Sequence, residues 1–495
     1  MIAEFNRKAN VLKYILFSCL SFLISITATL SIADDTSVEK KDGEDFFLND
    51  SSLDDSVFSD EDLFIEENIE KEDSWLSFFR YSGLLSHKTS YSYLHKGVDI
   101  TGSKSKLNLK LSVSPSDSFW KLKFNWVGFY DSAYHIQGRS SFTKDTLDTY
   151  ETDSEFKELY LDVDFTNWLN LRVGRQFFSW GETQISQISD VGNPRNFREL
   201  GLQDLDSIRQ SVSASKLTFF GNNWEYNLIA IHEMRQHELS TDGSEFDPYI
   251  TIRSNQVIID NEIDLADSLS NTEFLTRLFF SGHLGDISLY AANVYEDLPI
   301  LDLTSVDINT GVVHFTPVYE RTNVYGLFGN VVSSSFLFKY DLARKTGMPV
   351  IRSSDNIFNQ INSNPFNVQS FETKSIDQWM LGVEYSGINE TSVVFEYSGQ
   401  YIEDHHDDLA DEESSHKVSL YVSHDMLHDT LLPTFWWSYD FTERTNLFKI
   451  ESSYAYTDEI KLILGISGFL VGDKDSFYHP YRNNDRLYFA LEYGF

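Results

Sequence analysis

From about Phe78 to Phe495 the apolar positions recur every second residue rather than every 3.6, which is the period of strands and not of helices. Leu107, Leu109, Leu111 and Val113 alternate with Lys106, Asn108, Lys110 and Ser112. Trp120, Leu122, Phe124 and Trp126 alternate with Lys121, Lys123 and Asn125, and Leu159, Leu161, Val163 and Phe165 with Glu158, Tyr160, Asp162 and Asp164. No run of 18 apolar residues occurs in this region, so a helical membrane bundle is excluded. Stretches of about ten residues with one apolar face are the signature of transmembrane β-strands. The expected fold is all-β: a transmembrane antiparallel barrel of about 18 strands (16 to 20 in range), with both ends of the barrel on the periplasmic side.

The connections support a barrel over a soluble sandwich, because short and long ones alternate. Short ones fall at Ser114–Ser118, Thr166–Asn167, Gly221–Asn223, Gly285–Asp286, Ser333–Ser334, Asn389–Glu390, Asp429–Thr430 and Thr457–Asp458. Longer acidic ones span 135–155, 181–208, 234–271, 297–318, 347–374 and 404–413. That is the pattern of periplasmic turns and extracellular loops. Strand centres are expected near 87, 109, 124, 161, 174, 215, 228, 278, 290, 326, 339, 381, 397, 420, 436, 451, 465 and 490. The stretch 305–316 is left out as a strand within a loop. A barrel of that size leaves an aqueous lumen.

The first 33 residues read as a secretory signal peptide. Arg7, Lys8 and Lys13 precede an apolar run from Tyr14 to Leu30, and Ser31-Ile32-Ala33 offers a cleavage site. The single cysteine, Cys19, lies in that segment, so cleavage leaves a chain without disulfides or thiol chemistry. Residues 34–77 form an acidic segment, flexible or a partial plug, with 17 Asp or Glu between 34 and 73 against Lys40, Lys41 and Lys71. The barrel domain is then 78–495.

Composition narrows the function. A net charge of −37 over 495 residues argues against nucleic-acid binding, which needs a basic face. There is no H-E-x-x-H, G-x-S-x-G or phosphate loop, and Ser423-His424-Asp425 cannot form a triad by adjacency, because neighbours on a strand face opposite ways. An enzyme and a cofactor are therefore not expected. The dense set Glu403–Asp408 with Asp411, Glu412, Glu413 and His416 matches no metal-binding spacing, so no metal is assigned to it. Three classes remain: a channel for a solute, hydrophobic or lipid-like cargo included; an adhesin or receptor using the acidic loops; and, least favoured, an outer-membrane enzyme.

The last strand, Arg486 to Phe495, places Leu487, Phe489, Leu491, Tyr493 and Phe495 on one face. It resembles the C-terminal signal of bacterial outer-membrane proteins, which implies a Gram-negative outer-membrane location and insertion by the outer-membrane assembly machinery. A second resemblance is carried by Leu171–Glu182 and Asp190–Asn196. Gly174, Arg175, Gln176, Trp180, Gly181, Asn193 and Pro194 resemble the G-R-Q…W-G…N-P pattern of alginate-export-type and related large proteobacterial porins. The resemblance implies a single-chain barrel of about 18 strands, with the loop after this strand folding into the lumen. Strong acidity and the lack of an arginine-rich lumen set this chain apart from the alginate exporter.

Strict alternation turns Leu171, Val173 and then Arg175 toward lipid. An arginine there costs about 2–4 kcal/mol at the bilayer midplane. A bulge or local phase change near Gly174 is the expected escape, turning Arg175 inward with Glu158, Asp162 or Glu182 as partners. The candidate lumen or constriction residues are therefore Arg172, Arg175, Glu158, Asp162, Glu182, Lys106, Lys110, Lys121 and Lys123. Glu384, Glu396, Glu451 and Glu492, with Lys449, Lys461 and Arg486, lie on later strands, and opposed charged walls would set a field across the bore.

Overall fold

The computed structural model describes residues 78–94, 100–115, 118–182, 186, 188–199, 208–254, 256–263 and 265–495. The signal peptide and the whole acidic segment 34–77 lie outside these residues. The strands, in chain order, are β1 (Phe79–Tyr91), β2 (Ile100–Val113), β3 (Trp120–Asp131), β4 (Thr152–Thr166), β5 (Leu169–Gln176), β6 (Val212–Phe220), β7 (Trp224–Ile231), β8 (Val257–Ile259), β9 (Glu273–Gly282), β10 (Gly285–Tyr295) and β11 (Ile300–Asp307). They continue with β12 (Val312–Val318), β13 (Arg321–Ser333), β14 (Phe336–Ile351), β15 (Phe371–Ile388), β16 (Thr391–Ile402), β17 (Ser414–His424), β18 (Leu431–Asp440), β19 (Thr445–Ala455), β20 (Ile460–Val471) and β21 (Arg486–Gly494).

Eighteen of these form one antiparallel sheet, each pairing with its sequence neighbours. The sheet closes where β1 pairs with β21, from Leu84 opposite Gly494 to Tyr91 opposite Leu487. Closure leaves no edge whose backbone groups would sit unsatisfied in hydrocarbon. The seam is finished by Phe495, which donates its N–H to Gly83 (2.9 Å) and accepts the Gly83 N–H (2.7 Å). The Phe495 ring occupies the space a Cβ on Gly83 would need. β8, β11 and β12 make a separate three-stranded sheet. The stretch 305–316 therefore belongs to a connection and not to the barrel wall, and all eighteen expected strand centres fall in barrel strands.

Period-two alternation decides which side chains meet lipid. On β21, Leu487, Phe489, Leu491 and Tyr493 are exposed while Tyr488 and Ala490 are buried. A belt of exposed large apolar side chains on a closed barrel is a lipid-facing surface. Aromatic pairs gather at the end of the barrel that carries the short turns: Trp168 stacks on Phe219 (6.3 Å), Phe336 packs on Tyr385 (4.7 Å) and Tyr493 on Phe495 (6.0 Å). That end also holds the start of β1 and the end of β21. The opposite end carries the long connections, including the helices α1 (Ala133–Ile136), α2 (Lys144–Tyr150) and α3 (Ser354–Ser363). No helix among the described residues is long and apolar enough to cross a membrane. An 18-strand closed barrel with this outer belt is a Gram-negative outer-membrane protein.

Candidate functional site: an in-turned segment and a charged inner wall

After Gln176 the chain leaves the wall and turns into the barrel. Phe178, Trp180 and Ile188 of this segment are buried in one cluster with inward residues of seven strands, among them Val212, Ala214, Ile229, Ile231, Leu275, Val324 and Met380. Trp180 meets Tyr290 edge-on at 5.7 Å. An apolar patch of the inner wall, spread over seven of the eighteen barrel strands, is thus covered by the chain's own segment.

Polar anchors fix the segment against the far wall. The Ser186 N–H donates to Glu396 (3.2 Å) and its hydroxyl lies 2.8 Å from that of Ser398. The Ser189 N–H donates to Asp341 (3.2 Å), and its hydroxyl binds the same carboxylate. Asp341 and Glu396 are fully buried and lie five residues from the short-turn ends of β14 and β16, so the segment crosses the lumen at membrane depth. Buried carboxylates that accept backbone N–H groups are rigid, high-stakes contacts.

The motif residues shape this turn. Asn193 is buried, accepts the Phe178 N–H at 2.7 Å and donates to the Gln210 carbonyl at 2.6 Å. The Gln210 N–H in turn donates to the Pro194 carbonyl (2.8 Å). Gln176 is fully buried and donates to the Gly174 and Ala214 carbonyls (3.2 and 3.0 Å). Gly181 takes a positive φ of 96°. Above the turn, Arg209 binds Asp190 (2.9 Å), and Arg198 reaches Glu238 (3.0 Å) and Asp153 (3.3 Å). The His237 ring accepts the Arg195 N–H at 3.0 Å. Burial beside Arg195 and Lys345 pushes this imidazole down to about 3.

Arg175 departs from the expectation. Pairing runs through Gly174 without a shift on either side, so there is no bulge there. Gly174 instead takes φ +130°, and a Cβ would meet the Leu159 carbonyl and, at 2.8 Å, the Tyr160 Cα. Arg175 stays in register with outward Leu159 and with Ser213. Its guanidinium pairs with Glu233, not with Glu158, Asp162 or Glu182. Two features lower the cost that motivated the bulge: Arg175 is one residue from the loop end of β5, and its charge is compensated.

The other candidates find separate partners. Arg172 binds Asp162 (2.7 Å) and stacks on the Tyr160 ring (4.4 Å), and Lys123 pairs with Glu158 (3.3 Å). Glu182 lies in the in-turned segment, where burial raises its carboxyl above the usual range. On the later strands, neighbours neutralise one another: Lys339 with Glu384 (2.7 Å), Lys449 with Glu451 (3.2 Å). Lys106, Lys110, Lys121 and Lys123 share one face of β2 and β3 with the inward Ser82, Ser86 and Asn125. Sequence reasoning missed Ser186, Ser189 and Asp341, because an aperiodic loop gives no sign of what it touches. In the 403–416 stretch, His406 is 2.7 Å from Glu372 and His416 is 2.9 Å from the Tyr397 hydroxyl. Among the described residues no group of three or more His, Cys, Asp or Glu is arranged to hold a metal.

A closed eighteen-strand barrel with an outer apolar belt and its own segment turned into the lumen defines the class: an outer-membrane β-barrel. Residues 92–495 match the family described as a protein of unknown function, DUF1302, and the chain belongs to that family. No curated protein matches. Among solved structures, the chain is similar to Acinetobacter baumannii OccAB3 (8% identity, TM-score 0.48, covering 85% of this chain and 99% of that one). It is also similar to Pseudomonas aeruginosa OpdK, solved with vanillate (7%, 0.48, 85% and 100%), and to Pseudomonas aeruginosa OccD3 (8%, 0.45, 84% and 91%). Likeness at this level carries no inference about cargo.

Proposed function

We propose that this protein is a substrate-selective channel of the outer membrane and not an enzyme, with both ends of the barrel periplasmic and the long connections outside. The observation that carries the reading is the anchoring of the in-turned segment to Asp341 and Glu396. A segment tied across a lumen at mid-depth narrows the bore and fixes which side chains a solute meets. The apolar patch of the inner wall is packed against Phe178, Trp180 and Ile188, which supports reading it as core and not as a path for cargo. The remaining wall is lined by Lys, Arg, Asp and Glu, which supports a small hydrophilic solute over a lipid-like one. The aromatic face of β21, ending in Phe495, supports delivery by the outer-membrane assembly machinery.

Proteoliposome swelling tests the reading. Vesicles carrying the protein should swell in small neutral and charged solutes and stay impermeable to large oligosaccharides. Vesicles that take up none of them would favour the adhesin or receptor reading.

A further inference from the structure

The connection between β7 and β9, residues 232–272, does not stay above the two strands it joins. Its outgoing leg lies on the in-turned segment. The Phe197 N–H donates to the Glu238 carbonyl (2.8 Å), the Glu238 N–H to the Arg195 carbonyl (2.9 Å), and the Ser240 hydroxyl to the Arg198 carbonyl (2.9 Å). The tip then reaches the loop ends of β19, β20 and β21. Phe246 is buried there among Leu447, Phe469 and Tyr481, its ring 5.7 Å from that of Tyr481. The Tyr481 hydroxyl donates to the Asp247 carbonyl (3.0 Å), the Asn484 side chain donates to the Glu245 carbonyl (2.7 Å), and Arg486 pairs with the Glu245 carboxylate. From Val257 the returning leg is paired with β12, in the connection between β10 and β13. In the ring of eighteen, that connection leaves the wall halfway round from the β21–β1 seam. Between Asp247 and Val257 the chain thus passes from one side of the ring to the other, over the opening.

The two sides of this contact are built differently. The receiving side is fixed to the wall: the Asp485 carboxylate accepts the Tyr93 and Leu94 N–H groups (2.7 and 3.0 Å) just past β1, and Glu443 accepts the Phe477 N–H (2.7 Å). The tip is tied chiefly to itself. The Asp247 carboxylate accepts the Gly243 and Tyr249 N–H groups (3.2 and 2.9 Å), and Arg253 pairs with Asp242 (2.7 Å). A tip braced in this way moves as one body. Of its Phe and Ile side chains only Phe246 is buried, whereas Ile250 and Ile252 are exposed. One ring and a few polar contacts make a small latch. Elements with so little buried apolar surface are the ones that open locally while the rest of a fold stays intact.

We propose that residues 241–253 form a lid over the long-connection mouth of the barrel, latched by Phe246 against Leu447, Phe469 and Tyr481, and that release of this latch widens access to the bore. The effect on conductance rests on the channel reading above; the opening of the lid does not.

A distance measurement tests the opening without any current. Spin labels on the pair Ile250→Cys with Lys474→Cys should give one short distance in an otherwise wild-type chain. Adding Phe246→Ala, in barrels folded by heat-modifiable gel mobility, should bring in a longer component. In planar bilayers Phe246→Ala alone should raise the time spent in a larger conductance level roughly tenfold or more, as loss of a buried ring allows. The pair Glu245→Cys with Asn484→Cys, joined by a reducible thiol-specific cross-linker, should abolish that level and regain it on reduction. Distances left unchanged by Phe246→Ala overturn the proposal. So does a lid that moves while the conductance levels stay the same with the cross-link closed and reduced. If no variant conducts, the distances alone decide the lid, and it is the channel reading that fails.

Discussion

Asn193 and Phe178, fifteen residues apart, are joined by a buried 2.7 Å hydrogen bond from the Phe178 backbone N–H to the Asn193 side-chain oxygen. This contact pins the point where the chain leaves the wall to the point where it returns toward β6. The Asn193→Ala variant strands the Phe178 N–H and the Gln210 carbonyl, at about 1–3 kcal/mol for each buried group left unpaired. The barrel wall does not depend on either. The variant should therefore keep its heat-modifiable mobility while residues 177–196 become open to limited proteolysis, and equal protease resistance in variant and wild type would show that Asn193 does not hold the segment.

Gly174 answers to a different constraint. Its φ of +130° is one that side chains with a Cβ rarely adopt, and the Cβ would collide with β4. Gly174→Ala should lower the fraction of chain that reaches the folded barrel, read as the ratio of heat-modifiable to unfolded bands after refolding in detergent. A neighbouring Val173→Ala change, on the exposed outer face, should leave that ratio nearly unchanged. Equal yields for the two would remove the backbone argument.

His237 makes the clamp over the in-turned segment sensitive to acid. The unfolded imidazole titrates near 6.5, whereas the folded one, buried beside Arg195 and Lys345, is held down to about 3. Above 6.5 both states are neutral and the contact with the Arg195 N–H is at full strength. As pH falls from 6.5 toward 3 the unfolded loop takes up a proton that the folded one refuses, so the clamp weakens through that window. Hydrogen exchange over residues 190–198, corrected for intrinsic rates, should show less protection at pH 5 than at pH 7. His237→Asn keeps an acceptor without the titration and should flatten the difference; an undiminished difference in that variant would assign the effect to another group.

The barrel was legible in the sequence and the constriction only in outline. Runs such as Leu107–Leu109–Leu111 against Lys106–Lys110 specify a strand and its two faces, and in a closed sheet those faces are fixed by register alone. The eight short connections followed from the spacing of the runs, although the turn before β10 falls at His283–Leu284, two residues ahead of the expected Gly285–Asp286. The inward lysines of β2 and β3, Lys106, Lys110, Lys121 and Lys123, were legible from the same alternation. Arg175 was misjudged because strand end and loop pairing, here with Glu233, matter as much as alternation, and neither has a local signature. The apolar filling by Phe178, Trp180 and Ile188 was invisible for the same reason: an aperiodic loop folds onto whatever wall it reaches.

The central claim is that an anchored segment crosses and narrows an open bore. Single-channel recording in planar bilayers tests it most directly, comparing wild type with a double variant, Asp341→Ala and Glu396→Ala, that removes both far-wall anchors. The wild type should give steady, discrete conductance steps, and the double variant, folded by gel mobility, should give larger and noisier ones. A wild-type barrel that conducts no current, or two proteins with the same conductance, would contradict it.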